Sequence, residues 1–190
     1  MRSLRAALVT MAIALVLGFP AIGAGPQGPA TYLQGLSLVD QDGRRVELYN
    51  DVIKGHVVVV HSFFASCQGS CPVMTGHLSA LQARFAAQLG HALRFVSITV
   101  DPRRDTPQRL RAYAAQMQAR SGWFFLTGSP DEVNAALSKL GQVATSPEAH
   151  TNVMIVGNEP TGLWKKVFGL ARAEAIGDVV QSVLDDGPAR

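Results

Sequence analysis

The strongest constraint on the fold of this chain is the run HVVVVHSFF at residues 56–64. Its β-branched and aromatic residues follow one another without polar alternation, which is typical of a strand covered on both faces. Apolar residues with helical spacing follow from Pro72 to Leu89, and strand-like and helix-like segments then alternate to the end of the chain. The order is a hairpin, then βαβαβα, then ββα. It predicts one α/β domain in which helices flank a central mixed sheet.

Turn and cap signals mark the ends of these segments. Asp42 and Gly43 lie between two short strand-like stretches and predict an N-terminal β-hairpin. Thr106 precedes a proline at the start of one helix-like segment, as an N-cap residue does. Ser129 and Glu132 have the spacing of a capping box at the start of another.

The first residues have the pattern of an export signal. Arg2 and Arg5 precede an apolar run that extends to Phe19, and small residues follow up to Ala24. An uncleaved membrane anchor is the alternative, because the apolar run approaches the length that spans a bilayer. In both cases the folded part leaves the cytoplasm, and we expect it in the periplasm or anchored to the inner membrane facing the periplasm.

The domain prediction follows from this leader. We expect three consecutive segments: a signal peptide or membrane anchor at 1–24, a spacer at 25–32, and one folded α/β domain at 33–190. The leader contains two arginines and no acidic residue, so its removal lowers the formal charge from +3 to +1. This balance gives no support for a nucleic-acid partner.

Cys67 and Cys71 are the only cysteines of the chain, and they directly follow the central strand. A stabilising disulfide is one interpretation for an exported protein. If both residues lie on a regular helix, however, their Cβ atoms are about 5–6 Å apart, farther than the roughly 3.5–4.5 Å of a disulfide. A metal ion held between two thiolates relaxes that demand. A helix N-terminus is also expected to lower the pKa of both thiols, which prepares them for metal binding or for attack on a disulfide.

Two thiolates are an incomplete ligand set for most metals, so the missing ligand is expected among the five histidines of the chain. His56 and His91 precede strands and are expected in solvated turns. His61 lies within the buried strand and is expected to be a packed or hydrogen-bonded core residue, whereas His77 is expected to point away from Cys71 at the surface. His150 opens the strand expected beside the cysteine helix and is the candidate third ligand. Two thiolates and one imidazole favour copper(I), and the imidazole also admits copper(II) or zinc.

A thiol-disulfide oxidoreductase is the alternative function. A cysteine pair that links the first core strand to a helix, on a sheet completed by ββα, has the thioredoxin-like plan. In such an enzyme Cys67 and Cys71 are the redox-active pair, one attacking a partner's disulfide and the other resolving it. Against it, the spacing is one residue wider than Cys-x-x-Cys, and no proline immediately precedes His150.

The chain resembles the Sco/SenC copper chaperones of cytochrome c oxidase assembly. The resemblance covers residues 33–184 and rests on LVDQDGRRVEL, SFFASCQGSCP, VSITVDPRRDTPQRLRAYA and HTNVMIVGNEPTGLWKKVFG. Two departures lie around the cysteines. The neutral triplet Gln68-Gly69-Ser70 replaces the usual acidic or proline-containing one, and Phe64, Ala65 and Ser66 stand where an aromatic residue and a threonine usually precede the first cysteine.

The resemblance implies a thioredoxin-like fold in which Cys67, Cys71 and His150 hold one copper ion per chain, as copper(I) and also copper(II). It implies delivery to the copper-centre subunit of cytochrome c oxidase or another cuproprotein, with other copper chaperones or thiol reductants as further partners. The Asp-Pro pair of the family falls on Asp101 and Pro102, so Asp101 is expected to tune the ligands from nearby. A turn residue that closes a strand is the alternative role for Asp101.

Overall fold

The computed structural model describes residues 29–187. Its helices and strands are, in chain order, α1 (Pro29–Leu33), β1 (Ser37–Val39), β2 (Arg45–Glu47), β3 (Val57–Phe63), α2 (Ser70–Arg84), β4 (Leu93–Thr99), α3 (Pro107–Gln116), β5 (Trp123–Leu126), α4 (Pro130–Lys139), β6 (Val153–Asn158), β7 (Leu163–Phe168) and α5 (Ala173–Leu184).

The central sheet has the strand order β5-β4-β3-β6-β7. β3 pairs in parallel with β4, and β4 in parallel with β5. On the other side, β6 runs antiparallel to β3, and β7 antiparallel to β6. The predicted mixed sheet is therefore confirmed. The carboxyl end of β3, where the cysteines begin, lies between the carboxyl end of β4 and the amino end of β6.

β3 is the central strand of the sheet, and both of its faces are covered by apolar residues. Val57 and Val59 pack into an apolar core with α2, α3 and α5, whereas Val58 and Val60 pack into a second core with α4, α1 and the β1–β2 hairpin. Each fully buried valine side chain contributes roughly 1.5–3 kcal/mol by leaving water. The uninterrupted apolar run predicted this two-sided burial.

The predicted local signals are confirmed. β1 and β2 pair across the turn that contains Asp42 and Gly43. The Thr106 side chain accepts a hydrogen bond from the Arg109 backbone N–H, and Ser129 forms a reciprocal capping box with Glu132.

The helix after the cysteines differs from its predicted bounds. It begins at Ser70, before Pro72, and ends at Arg84 rather than at Leu89. Phe85 and Leu89 keep a helical spacing because they form one further turn, in which the Phe85 carbonyl accepts the Leu89 N–H at 2.9 Å. The apolar periodicity thus extends beyond the helix itself.

Two short elements were not predicted from the sequence. A π-helical turn, Leu48–Ile53, packs buried apolar residues beneath β2, and α1 extends across the end of the predicted spacer. The predicted leader at 1–24 lies outside the described residues, so the domain boundaries stay a prediction. Within residues 29–187, no helix has the length and apolar character needed to cross a membrane.

Candidate metal centre

The two cysteines occupy different local structures. After β3 the chain turns between Phe64 and Cys67, where the Cys67 N–H donates to the Phe64 carbonyl at 3.1 Å. Cys67 precedes α2 and is half-buried, whereas Cys71 lies in the first turn of α2 and is only 1% exposed. The spacing argument against a disulfide holds only if both cysteines lie on one regular helix, and that condition is not met.

His150 reaches the cysteines because β6 is antiparallel to β3. Val60 of β3 pairs with Ile155 of β6, so the chain just before β6 lies beside the end of β3. A short 3₁₀ turn, Pro147–Ala149, leads into this approach, and His150 caps it. His150 is thus a loop residue ahead of the strand, not its first residue as the sequence indicated.

The three predicted ligands converge in the structure. The Sγ atom of Cys71 lies 3.0 Å from Nε2 of His150. One donor atom from each of Cys67, Cys71 and His150 lies within 4.8 Å of the other two. Two thiolate sulfurs that share one metal ion at about 2.3 Å each are at most about 4.6 Å apart. The donors therefore need only small shifts to enclose an ion.

The imidazole of His150 has a defined orientation. Its ring packs edge-to-face against Phe64 with the centroids 5.8 Å apart, and the residue is 8% exposed. Nδ1 lies 3.2 Å from the Thr151 carbonyl, a pairing that places the ring proton on Nδ1. The Nε2 lone pair is then free to point at Cys71, as a metal ligand requires.

The Cys71 thiol does not show the lowered pKa expected for a helix N-terminus. Burial, followed by the hydrogen bond with Cys67, raises the pKa of Cys71 to about 12. The backbone N–H groups around the sulfur act in the opposite direction and are outweighed. In the metal-free protein Cys71 is therefore a thiol at neutral pH, and a metal ion must displace its proton on binding.

The other histidines lie outside this donor group. His61 is fully buried with Nε2 2.7 Å from the Ser97 hydroxyl, as expected for a core residue. Burial is the main cause that lowers the pKa of His61 to about 3. His77 is half-buried rather than at the surface, with Nδ1 3.0 Å from the Gly169 carbonyl. His56 and His91 both precede strands in turns.

Within the described residues 29–187, the group of possible metal ligands consists of Cys67, Cys71 and His150 and does not include Asp101. It follows β4, donates its N–H to the Thr99 hydroxyl at 2.9 Å, and lies 3.6 Å from Arg104. Its role as a residue that tunes the ligands stays a prediction.

Sequence reasoning missed Asp105, four residues farther along. Asp105 is fully buried, and its Oδ2 accepts the Ala65 N–H of the cysteine loop at 3.0 Å. The signal was a second aspartate in the motif DPRRD, just before the cap of α3.

The SCO1/SenC family model matches residues 24–162 of this chain. The SCO1 protein homolog of Bacillus subtilis (strain 168) is 32% identical over 130 residues, which are 66% of this chain and 66% of that protein. A Stutzerimonas stutzeri protein, named for an inferred copper-binding role, is 31% identical over 126 residues, which are 65% of this chain and 60% of that protein. The matches thus span about two thirds or less of these curated relatives.

Solved structures of Sco proteins have the same fold. BsSco, a member of the Sco family of cytochrome c oxidase assembly proteins in which a disulfide switch was identified, superposes with a TM-score of 0.65 at 28% identity, covering 80% of this chain and 92% of that chain. Yeast Sco1 with copper bound superposes with a TM-score of 0.69 at 22% identity, covering 82% of this chain and 90% of that chain. The fold is thioredoxin-like, and the chain belongs to the SCO1/SenC family.

Proposed function

We propose that this chain binds one copper ion per molecule through Cys67, Cys71 and His150 and delivers it to a cuproprotein. The binuclear copper centre of cytochrome c oxidase is the proposed acceptor. The observation that carries the proposal is the convergence of two sulfurs and one imidazole nitrogen within 4.8 Å, from segments 79 residues apart.

The donor set favours copper over the harder divalent metals. Thiolate sulfur is a soft ligand that prefers copper(I), and the imidazole nitrogen also accepts copper(II). Carboxylate and carbonyl oxygens, which calcium and magnesium prefer, are not among the three donors. The copper-binding name of the Stutzerimonas stutzeri relative supports the same choice.

The unequal exposure of the ligands suits a carrier rather than a permanent store. Cys71 and His150 are buried, whereas Cys67 is half-buried in the loop before α2. An acceptor thiolate approaching from solvent meets the Cys67 side of the ion first. Replacement of Cys67 by the acceptor ligand then begins transfer by ligand exchange, while Cys71 and His150 still hold the ion.

The cellular setting and the partner are part of the proposal. The leader predicted at 1–24 places the domain at 33–190 outside the cytoplasm, either free in the periplasm or anchored to the inner membrane. BsSco, which belongs to a family of cytochrome c oxidase assembly proteins, supports a copper-centre subunit as the acceptor. Other copper chaperones or thiol reductants are proposed to load the site and keep it reduced.

A second candidate function is thiol-disulfide exchange with a partner protein. The disulfide switch described for BsSco favours it, because the donors of Cys67 and Cys71 are also neighbours here. In this function one thiolate attacks a partner's disulfide and the other cysteine releases the partner by forming the internal disulfide. His150 has no required role in that exchange.

The deciding experiment titrates the reduced, purified protein with copper(I) without oxygen, in competition with a colorimetric chelator, and records copper(II) absorption spectra separately. We expect one tightly bound ion per chain and thiolate-to-copper(II) absorption bands. His150→Ala is expected to weaken copper binding while leaving any disulfide reductase activity intact. Reduced protein with two free thiols that takes up no copper contradicts the proposal.

A further inference from the structure

The loop that carries Cys67 is held by a residue from a different strand connection. Phe64 and Cys67 are the ends of a tight turn, and the turn bond uses the Cys67 N–H. The Ala65 N–H, at the second position of the turn, is left for another acceptor. Asp105 supplies that acceptor, with Oδ2 at 3.0 Å.

The same carboxylate oxygen is tied to the end of β4. The Thr99 hydroxyl donates to Asp105 Oδ2 at 2.6 Å and accepts the Asp101 N–H at 2.9 Å. The Asp105 N–H donates to the Asp101 carbonyl at 2.9 Å, and α3 begins directly afterwards with its Thr106 cap. The position of the carboxylate is therefore fixed by contacts within its own loop, independently of its contact with Ala65.

Asp105 is a buried carboxylate, and its burial has a free-energy cost that its hydrogen bonds to the loop must offset. The residue is 0% exposed, and its second oxygen, Oδ1, is buried with no hydrogen-bond partner among the residues described. A buried carboxylate that satisfies only one oxygen costs free energy relative to a neutral residue. Charge-assisted hydrogen bonds to the loop offset that cost and restrict its geometry.

We infer that Asp105 is a positioning residue for the copper site, which clamps the Phe64–Cys67 turn so that the Cys67 sulfur faces Cys71 and His150. The inference rests on the proposed function for the identity of the ion, but the clamp itself exists without any metal. Asp105 acts through the backbone of Ala65 and does not need to touch the ion.

The test compares three variants by two measurements. Asp105→Ala removes the clamp, and Asp105→Asn keeps a carbonyl oxygen that accepts the same hydrogens. Asp40→Ala is the matched control, because Asp40 is also buried, at 1% exposed, and accepts the Asp42 and Arg44 N–H groups in the β1–β2 turn. The measurements are amide hydrogen exchange by NMR on reduced, metal-free protein and the copper(I) affinity.

We expect Asp105→Ala to speed exchange of the Ala65 and Cys67 amides at least tenfold and to weaken copper(I) binding about tenfold, the equivalent of one hydrogen bond. Asp105→Asn is expected to stay within about threefold of the parent in both measurements. Asp40→Ala is expected to expose only the amides of its own turn.

Copper(I) affinity within threefold of the parent for folded Asp105→Ala overturns the inference, as does equal weakening in Asp40→Ala or in Asp105→Asn. If the parent binds no copper, the proposed function fails, while amide exchange still decides whether the clamp exists. If Asp105→Ala does not fold, amide exchange in the parent protein still tests the inference. An Ala65 amide that exchanges as fast as an exposed loop amide refutes the clamp.

Discussion

Nε2 of His150 lies 3.0 Å from Sγ of Cys71, although 79 residues separate the two in the chain. The antiparallel pairing of β6 with β3 produces this contact, since it returns the chain to the end of β3 where the cysteines begin. The site therefore depends on sheet topology as much as on its three ligands.

Replacement of His150 by alanine is expected to weaken copper binding strongly, by tenfold or more, because two thiolates remain without the third donor. The affinity for copper(II) is expected to fall more than the affinity for copper(I), since the imidazole is the ligand that suits copper(II). Competition titrations and copper(II) absorption spectra measure both effects. His77→Ala is the control, because His77 contacts the Gly169 carbonyl rather than the cysteines and its loss should leave both measurements unchanged.

The two thiols are expected to differ in reactivity toward iodoacetamide in the reduced, metal-free protein. Only the thiolate reacts, and burial raises the pKa of Cys71 to about 12, so its alkylation rate should keep rising through pH 10 without a plateau. Cys67 is half-buried and should react first at neutral pH. Cys67→Ser and Cys71→Ser isolate each thiol for mass spectrometry. A plateau in the Cys71 rate near pH 8 contradicts the expectation.

Glu132 is expected to make stability depend on acid pH. The backbone N–H and the hydroxyl of Ser129, followed by Arg45, lower the pKa of Glu132 to about 2 from its ordinary value of 4.5. As pH falls, the Glu132 carboxylate therefore takes up a proton in the unfolded chain at a higher pH than in the folded protein. Its contribution to stability is complete above about pH 4.5 and is lost as pH falls through 2.

Glu132→Gln should lower the free energy of unfolding at pH 7 by about 0.5–1 kcal/mol, and the difference from the parent should shrink as pH falls and vanish below pH 2. Urea denaturation at several pH values measures this. Glu174→Gln, in the first turn of α5 where no side chain caps the helix, is the matched control and should show a smaller change at pH 7. A Glu132→Gln effect that is independent of pH argues against the charge as its cause.

Gly157 in β6 is expected to tolerate no side chain. A Cβ atom there meets the Trp164 ring, on the paired strand β7, at 2.1 Å. Gly157→Ala should cost roughly 1–3 kcal/mol, as overpacked sites do. Gly76→Ala in α2 is the contrast, because the space around Gly76 is open and alanine favours a helix by about 0.5–1 kcal/mol. Denaturant midpoints of the two variants should shift in opposite directions.

Local pattern was sufficient for most of the secondary structure. The apolar run at 56–64 predicted the two-sided burial of β3, and the residues Thr106, Ser129 and Glu132 predicted the starts of α3 and α4. These signals succeed because strand burial and helix capping depend on residues close together in the chain. The π-helical turn at 48–53 was missed because its apolar residues have no distinctive local spacing.

The sequence by itself determined the donor chemistry: two sulfurs after a buried strand and a histidine ahead of a later one. Tertiary structure alone decided that His150 turns Nε2 toward Cys71 and that Asp105 holds the loop through Ala65. Residue types and spacing encode which atoms are available, whereas their distances follow from strand pairing and burial, which join segments remote in the chain.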